Sequence, residues 1–261
     1  MWADIKWVYR GAWQAAFALP ILFLIPGVVE FIQHVVEIKL GMYASLKASQ
    51  VVGASAKVAL AGMLKLAAGT LPTYWFVRYL AWGDTRKAWR PEMPAVRLWI
   101  AVTLVSLTPD AALLFGPLVG ELIGLHSNQA ITATVLIGFC AFFLSIYLLV
   151  WPIAWALGKS AFGPIQSIKI IHGSYWRTLG YYVAAFLPLS LVQDWLADVA
   201  MGRSPVVVWA LMAIDSLIVC YLWLLIAGGM YIGAKRACDR KNVALDPEGV
   251  ALPRANLAAQ P

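Results

Sequence analysis

Charged residues and cysteines are scarce in this sequence of 261 residues. Only 13% of the residues are charged, 62% are hydrophobic, and the mean hydropathy is +0.76. Soluble globular domains carry about 25% charged residues, so water is not the main solvent of this chain, and its apolar runs leave no room for a separate soluble catalytic domain. The three cysteines, Cys140, Cys220 and Cys238, show no CxxC spacing, which predicts neither a disulfide framework nor a metal site.

Recognisable catalytic and cofactor motifs are also missing. The sequence has no HExxH, GxSxG or GxGxxG pattern and no phosphate-binding loop, and no residue pair suggests a nucleophile with its base. We therefore expect no intrinsic enzyme activity and no cofactor. The histidines His34, His126 and His172 are predicted near the outer end of a span, in an outer loop and at the cytoplasmic face, so they are not expected to pair on one haem.

The formal net charge of +7 does not indicate nucleic-acid binding. Lys and Arg lie in short segments beside apolar runs rather than in one basic domain, a distribution that membrane topology explains better. We therefore expect no nucleic-acid partner.

Six long apolar runs dominate what is present. A helix needs about 20 mostly apolar residues to cross the hydrocarbon core of a bilayer. The predicted spans are Ala12–Val36, Val58–Leu80, Leu98–Val119, Ile131–Leu157, Leu179–Ala197 and Pro205–Gly233. The first run is longer than a signal-peptide core and has no clear cleavage site, so we expect it to be retained as a helix. The sequence predicts an all-α membrane protein with six transmembrane helices, in which residues 1–238 form a single membrane domain and residues 239–261 a flexible cytoplasmic tail.

The positions of Lys and Arg predict the orientation of these helices. Most of them fall at the two termini and in the loops that follow the second and fourth predicted spans. The positive-inside rule therefore places both termini in the cytoplasm of a bacterial inner membrane. Tryptophans near the predicted cytoplasmic ends, such as Trp82, Trp99 and Trp155, agree with this placement because their rings prefer the membrane–water boundary.

The segment Lys159–Trp176 is too polar to span the membrane. Its apolar residues Phe162, Ile165, Ile168 and Ile171 are spaced as on one helix face, which predicts an interfacial amphipathic helix between the fourth and fifth spans. The nearby cations are candidates for contacts with anionic lipid headgroups: Lys159, Lys169 and Arg177. A purely topological elbow would need the same residues, so that alternative stays open.

Residues Ser160–Gly180 carry a serine-bearing interfacial helix, then a glycine, and then Trp176-Arg177 at the start of the next span. In this order of features the segment resembles the bacterial six-helix family that includes the YciC-like inner-membrane proteins and the membrane domain attached to some glycerophosphodiester phosphodiesterases. The resemblance implies a six-helix inner-membrane fold. It transfers no catalytic residue, because catalysis in those phosphodiesterases belongs to a soluble barrel that this sequence lacks.

Charged groups inside a membrane are costly and are often functional. Five such residues fall in the outer halves of the predicted spans: Glu30, Lys65, Asp110, Asp194 and Asp215. One hypothesis is that they converge on a polar cavity. The alternative is that Glu30, Lys65 and Asp194 reach the outer headgroups while Asp110 and Asp215 are paired structurally. Because Pro109 directly precedes Asp110, we expect a broken helix there and consider Asp110 the best single candidate.

Three functions are compatible with the sequence. The leading hypothesis is a non-catalytic inner-membrane protein in envelope or lipid homeostasis, with membrane lipids, anionic ones in particular, as partners. The first alternative is a transporter whose path includes Asp110 and Asp215. The second is an assembly partner of a larger membrane complex, whose protein partners are unknown, suggested by small residues such as Ala59, Gly62 and Ala67–Gly69 in the second span.

Overall fold

The computed structural model describes residues 1–124 and 127–245, and within these ranges the chain is helical without any strand. In chain order the elements are α1 (Trp2–Ala18), α2 (Pro20–Lys39), a 3₁₀ turn (Met42–Ala44), α3 (Leu46–Gly53), α4 (Ala56–Trp82), α5 (Thr85–Trp89), α6 (Met93–Leu122), α7 (Ser127–Tyr147), α8 (Val150–Ala156), α9 (Pro164–Ile171), α10 (Tyr175–Ala200) and α11 (Pro205–Arg240).

Four of these helices are each long and apolar enough to cross a membrane: α2, α6, α10 and α11. Two further candidates are bent pairs, α3 with α4 at 73° and α7 with α8 at 57°, which bring the number to six if each pair is one span. The predicted all-helical architecture with several membrane-spanning helices is therefore confirmed, at four to six candidates.

The first predicted span, Ala12–Val36, is not one helix. The helical hydrogen bonding of α1 ends at Ala18, Leu19 takes a non-helical conformation with φ −132° and ψ 54°, and α2 begins at Pro20. Proline disfavours a helical conformation in the residue before it but fits the first position of a helix. As a result, α1 is a separate helix that packs against α11, and only α2 has the character of a span.

Helix α11 is the central element of the bundle and packs against α1, α2, α4, α8, α9 and α10. Glycines on its surface allow two of these approaches: a Cβ at Gly228 would lie 2.6 Å from a methyl of Val8, and one at Gly229 would lie 2.7 Å from Cβ of Ala185. Such close backbone contacts, made through small residues, are typical of helix packing in membranes. The position of α11 brings residues from both ends of the chain together.

A short helix, α9, lies within the segment predicted to form an interfacial helix, but its buried face differs from the predicted one. Ser167, Ile170 and Ile171 are buried, whereas Ile165 and Ile168 are exposed. Ser167 faces the bundle because its hydroxyl donates to the carbonyl oxygen of Tyr147 at 2.8 Å and accepts from the backbone N–H of Val150 at 3.1 Å. It thereby satisfies backbone groups freed at the break between α7 and α8.

The beginning of the predicted tail packs against the bundle. Helix α11 continues to Arg240, Leu245 is buried, and Lys159 Nζ donates to the carbonyl oxygen of Ala244 at 2.6 Å. Burial of the apolar Leu245 side chain away from water stabilises this contact. The high share of polar residues in the segment hides this single apolar residue in the sequence. The rest of the predicted tail, residues 246–261, lies outside the described residues, as does His126.

Small residues in α4 are used inside the chain. Ala59 is buried, Gly62 lies under the side chain of Leu114 on α6, and Gly69 lies under the ring of Trp223 on α11. Their contribution to packing is therefore internal.

Candidate functional site

Helix α2 presents a polar face to the interior of the bundle. Glu30, Gln33, His34 and Glu37 are all buried, and their spacing of three and four residues places them on one side of a helix. Helix α2 approaches α11 closely one turn earlier, since a Cβ at Gly27 would lie 2.6 Å from the carbonyl oxygen of Ser216. This close approach is what brings side chains of α11 within reach of the polar face.

His34 lies at the centre of the contacts. Its Nε2 atom is 2.9 Å from Oδ2 of Asp215 on α11 and 3.4 Å from Oε1 of Glu30. Its other ring nitrogen, Nδ1, is 2.9 Å from Oε2 of Glu37. One imidazole thus connects three carboxylates. We use the name polar cluster for His34, these three carboxylates and the two side chains that contact the carboxylates on other sides. Its members are Glu30, Gln33, His34, Glu37, Lys65 and Asp215.

Glu37 is fixed from two sides. Gln33 Nε2 donates to Oε1 at 2.7 Å, and the Tyr43 hydroxyl donates to Oε2 at 2.8 Å. Burial, reinforced by the charge of Glu37, raises the pKa of the Tyr43 phenol above its ordinary value, so this hydroxyl remains a donor. Because a carboxylate only accepts hydrogen bonds, the contacts of His34 with Glu37 and with Asp215 place a proton on Nδ1 and on Nε2.

Lys65 is the basic partner of Glu30. Its Nζ atom lies 3.2 Å from Oε1 and 3.1 Å from Oε2 of that carboxylate. The lysine side chain is 28% exposed while that of Glu30 is 2% exposed, so the lysine stem runs from the surface of the bundle to a buried acid. Gln193 of α10 adds a weaker contact, with its Nε2 atom 3.4 Å from Oδ2 of Asp215.

The polar cluster carries more negative than positive charge. Its three carboxylates are opposed by the ammonium of Lys65 and by a His34 that donates from both ring nitrogens, which leaves one negative charge in the interior. One oxygen of Asp215, Oδ1, is buried and has no hydrogen-bond partner among the described residues. A buried carboxylate oxygen in this condition costs considerable free energy, so the cluster is electrostatically incomplete as it stands.

The polar cluster lies deep in the bundle. At a rise of about 1.5 Å per residue, Glu30, Lys65 and Asp215 are each about 14–15 Å from the nearest end of their helices. These three charges therefore lie well inside their helices rather than at the helix ends.

The structure brings together three of the five predicted intramembrane residues, Glu30, Lys65 and Asp215. Asp194 is exposed on α10. Its neighbour in the sequence, Gln193, is the residue of α10 that contacts Asp215. Asp110 is half-buried on α6 and has no hydrogen bond or ion pair with any described residue; its electrostatic neighbour is the phenol of Tyr182. These two residues are not part of the polar cluster.

The helix break expected at Asp110 is absent, since α6 continues from Met93 through Pro109 to Leu122. A proline inside a helix removes one hydrogen bond without necessarily ending the helix, and membrane helices tolerate it. The prediction of a broken helix at Asp110 is therefore wrong, and Pro109 does not mark the polar cluster.

Sequence reasoning missed five members of the site or its support: Gln33, His34, Glu37, Tyr43 and Gln193. The signal was available on α2, where Glu30, Gln33, His34 and Glu37 repeat at helical spacing within an otherwise apolar run. Tyr43 and Gln193 carried no such signal, because they reach the site only through tertiary packing.

An apolar groove runs beside the polar cluster between α2 and α11. Its volume is about 360 Å³. Its lining is Leu24, Gly27, Val28, Phe31, Ile32, Ala213, Ser216, Leu217 and Cys220. None of the charged cluster residues belongs to this lining, so the groove and the polar cluster are separate features.

The predicted lipid-contact residues are in two different environments. Lys159 is held by the carbonyl oxygen of Ala244. Lys169 and Arg177 are exposed, and beside them Ile168 is exposed and Trp176 is 76% exposed. We refer to these four exposed side chains, two basic and two apolar, as the elbow surface: Ile168, Lys169, Trp176 and Arg177.

Ion pairs at the opposite ends of the helices anchor the bundle. Arg78, which is 1% exposed, donates to Glu92 at 2.8 Å and to the carbonyl oxygen of Ala156 at 3.4 Å. Asp4 is bound by Arg236 and by the Tyr181 hydroxyl at 2.7 Å. Burial opposes ionisation of Asp4, but these donors outweigh it and hold the pKa of the carboxyl below its ordinary value.

Comparison of the chain with protein-family models, curated proteins and solved structures found no match. The resemblance to the YciC-like proteins therefore stays a prediction.

Proposed function

We propose that this chain is a six-span protein of a bacterial inner membrane, with both termini in the cytoplasm and without catalysis of its own, that exchanges a cation for protons through the polar cluster. The observation that carries the proposal is the convergence of Glu30 and Asp215 on His34 in the interior of the bundle, with Lys65 paired to Glu30. Buried ionisable groups in membrane helices are costly, and proton relays and ion sites are their established uses.

The polar cluster offers a continuous series of proton donors and acceptors. The contacts are Tyr43 to Glu37 at 2.8 Å, Glu37 to His34 at 2.9 Å, His34 to Asp215 at 2.9 Å, His34 to Glu30 at 3.4 Å, and Glu30 to Lys65 at 3.1 Å. Each group exchanges protons or accepts them, and each is within or near hydrogen-bond distance of the next. The series begins at the turn after α2 and reaches the middle of the helices.

Proton movement through the purified protein tests this function. Proteoliposomes would contain the pH-sensitive dye pyranine and a mixture of mono- and divalent metal salts, and would be diluted into metal-free buffer. We expect internal acidification faster than in protein-free vesicles, loss of that difference with Asp215→Asn, and retention with Asp110→Asn as the matched control. Equal rates for protein-containing and protein-free vesicles would overturn the proposal.

The elbow surface favours a second function, in which the protein binds anionic lipid and contributes to lipid homeostasis. Exposed Lys169 and Arg177 beside an exposed tryptophan suit a headgroup region with negative charge. Native mass spectrometry in mixed phosphatidylglycerol and phosphatidylcholine micelles would show preferential retention of phosphatidylglycerol. We expect Lys169→Gln with Arg177→Gln to remove that preference, and Lys47→Gln with Lys57→Gln, two exposed lysines elsewhere, to leave it. No preference in the unsubstituted protein would contradict this function.

A further inference from the structure

We infer that Glu30, His34 and Asp215 form a binding site for a divalent first-row transition-metal cation, and that this cation is the transported species. The second half of the inference rests on the proposed function; the first half is a statement about binding alone. The donor atoms are Oε1 of Glu30, Nε2 of His34 and Oδ2 of Asp215. The three residues are buried, and each offers one ligand atom within 4.8 Å of the others.

The separations of these atoms suit a shared metal ion. Zinc binds imidazole nitrogen and carboxylate oxygen at about 2.0–2.2 Å, which places neighbouring ligand atoms of a tetrahedral site about 3.3 Å apart. The two separations from Nε2 of His34 are 2.9 Å to Asp215 and 3.4 Å to Glu30. The oxygens of Glu30 and Asp215 lie within 4.8 Å of each other, so these two carboxylates move towards each other when both bind the ion.

Glu37 supplies the outer support that metal-binding histidines usually have. A ligating imidazole commonly donates its other ring N–H to a carboxylate, which fixes the tautomer and the ring orientation. His34 Nδ1 makes this contact with Glu37 at 2.9 Å. Gln33 and Tyr43 fix that carboxylate in turn. In the metal-bound form, an imidazole that keeps its proton on Nδ1 directs the lone pair of Nε2 towards Glu30 and Asp215.

The charge of the polar cluster selects a divalent ion. Its three carboxylates and the ammonium of Lys65 leave two negative charges when His34 is neutral, and a divalent cation brings the total to zero. A monovalent ion would leave a net charge in the interior of the membrane, where it is costly. Lys65 Nζ lies 3.2 Å from Oε1 and 3.1 Å from Oε2 of Glu30, so its ammonium remains beside Oε2 when Oε1 binds the ion.

Asp215 provides a second, independent indication of a missing ligand. Its Oδ1 atom is buried without a hydrogen-bond partner among the described residues, although the residue is only 4% exposed. Native structures rarely leave a buried carboxylate oxygen in this condition. A metal ion bound by Oδ2 offers Oδ1 a bidentate contact or a metal-bound water as donor.

The imidazole determines which divalent ions suit the site. Imidazole nitrogen favours Zn²⁺, Fe²⁺ and their neighbours, whereas Mg²⁺ and Ca²⁺ prefer sites made only of oxygen. We therefore expect Zn²⁺ to bind more tightly than Mn²⁺, and both to bind more tightly than Mg²⁺.

Equilibrium dialysis of the full chain in detergent against ZnCl₂, MnCl₂ and MgCl₂ tests the site. We expect one Zn²⁺ per chain and an affinity lower by about tenfold or more in Asp215→Asn and in the supporting variant Glu37→Gln. The controls are Asp110→Asn, a half-buried acid outside the polar cluster, and His172→Gln, an exposed histidine; both should bind as the unsubstituted protein does. Thermal unfolding would establish that each variant is folded.

X-ray absorption at the zinc edge provides a readout of the ligands themselves. We expect nitrogen and oxygen neighbours with the outer-shell scattering of one imidazole, lost with His34→Gln, and no sulfur from the three cysteines. Absence of Zn²⁺ binding, or equal binding by Asp215→Asn and Asp110→Asn, would overturn the site. Proton flux without metal binding would retain the proposed function and overturn the site, while metal binding without flux would retain the site and overturn the transport function.

Discussion

Acidic residues have partners in the polar cluster and lack them in the α6–α7 hairpin, among the residues that the structure describes. Around His34, three carboxylates are held by partners from α2, α4 and the turn after α2, and α11 contributes Asp215. On α6, Asp110 stands without a hydrogen bond or ion pair to any residue that the structure describes. The sequence made Asp110 the more conspicuous residue because of the proline before it, yet burial and partners distinguish the two sites.

The packing beneath the two regions differs as well. Gly27 brings the backbone of α2 against the backbone of α11. In the hairpin, Gly138 of α7 meets the side chain of Leu113 instead. A backbone contact fixes the separation of two helices closely, whereas the end of a leucine side chain adjusts. The polar cluster thus lies beside a point where two helix backbones meet, and a site with defined ligand distances needs a fixed separation of this kind.

Replacing His34 by leucine should have the largest effect on this comparison. Loss of the imidazole leaves Glu30, Glu37 and Asp215 buried with Lys65 as the only charged partner, and breaking a buried charge network by removing one member costs about 3–5 kcal/mol. The matched change, Asp110→Leu, should alter stability by about 0.5 kcal/mol or less. Reversible unfolding in mixed micelles, followed by tryptophan fluorescence, measures both. Equal losses would mean that the polar cluster is no more integrated into the bundle than Asp110 is.

Adding a methyl group at Gly27 should have the second-largest effect, and a larger one than the same change in the α6–α7 hairpin. The new Cβ of Gly27→Ala would press on the backbone oxygen of Ser216, and overpacking of this kind costs about 1–3 kcal/mol. Because α2 would move away from α11, His34 would lose its contact with Asp215, and zinc binding should weaken. Gly138→Ala meets only a movable side chain, so its cost should be smaller and zinc binding unchanged. Tight zinc binding by Gly27→Ala would contradict the role assigned to the α2–α11 interface.

Much of the architecture could be predicted from the sequence, because a membrane span is a local property of about 20 residues. The positions of α4, α6 and α10 follow the predicted runs to within five residues at each end, and α11 begins at the predicted Pro205 but continues seven residues beyond Gly233. The separation of α1 from α2 was also encoded locally, in the preference of Pro20 for the start of a helix. Continuous apolar character concealed it, since hydropathy alone does not register a break between two helices.

The site could be predicted only in part. A lone charge in an apolar run is visible, which is how Glu30, Lys65 and Asp215 were identified. Their arrangement depends on contacts between residues far apart in the chain, such as His34 with Asp215, and no local pattern specifies which helices are neighbours. The same limit explains why Asp110 and Asp194 were grouped with the others, since isolated charges look alike until the packing of their helices is known.

Asp4 extends the comparison to an acid near the opposite helix ends. Its pKa is held below the ordinary value of about 3.9, so its ionised form stabilises the fold fully above that value, and the contribution is lost as the pH falls through the lower folded-state pKa. The melting temperature should therefore fall by about 2–4 °C across this acidic range. Asp4→Asn should remove that part of the pH dependence, whereas Asp194→Asn, at an exposed position, should retain it. An unchanged acid limb in Asp4→Asn would mean that its contacts with Arg236 and Tyr181 do not stabilise the bundle. This effect on stability should be smaller than those of His34→Leu and Gly27→Ala. Water screens the charges of Asp4 and Arg236, but it does not screen those of the polar cluster.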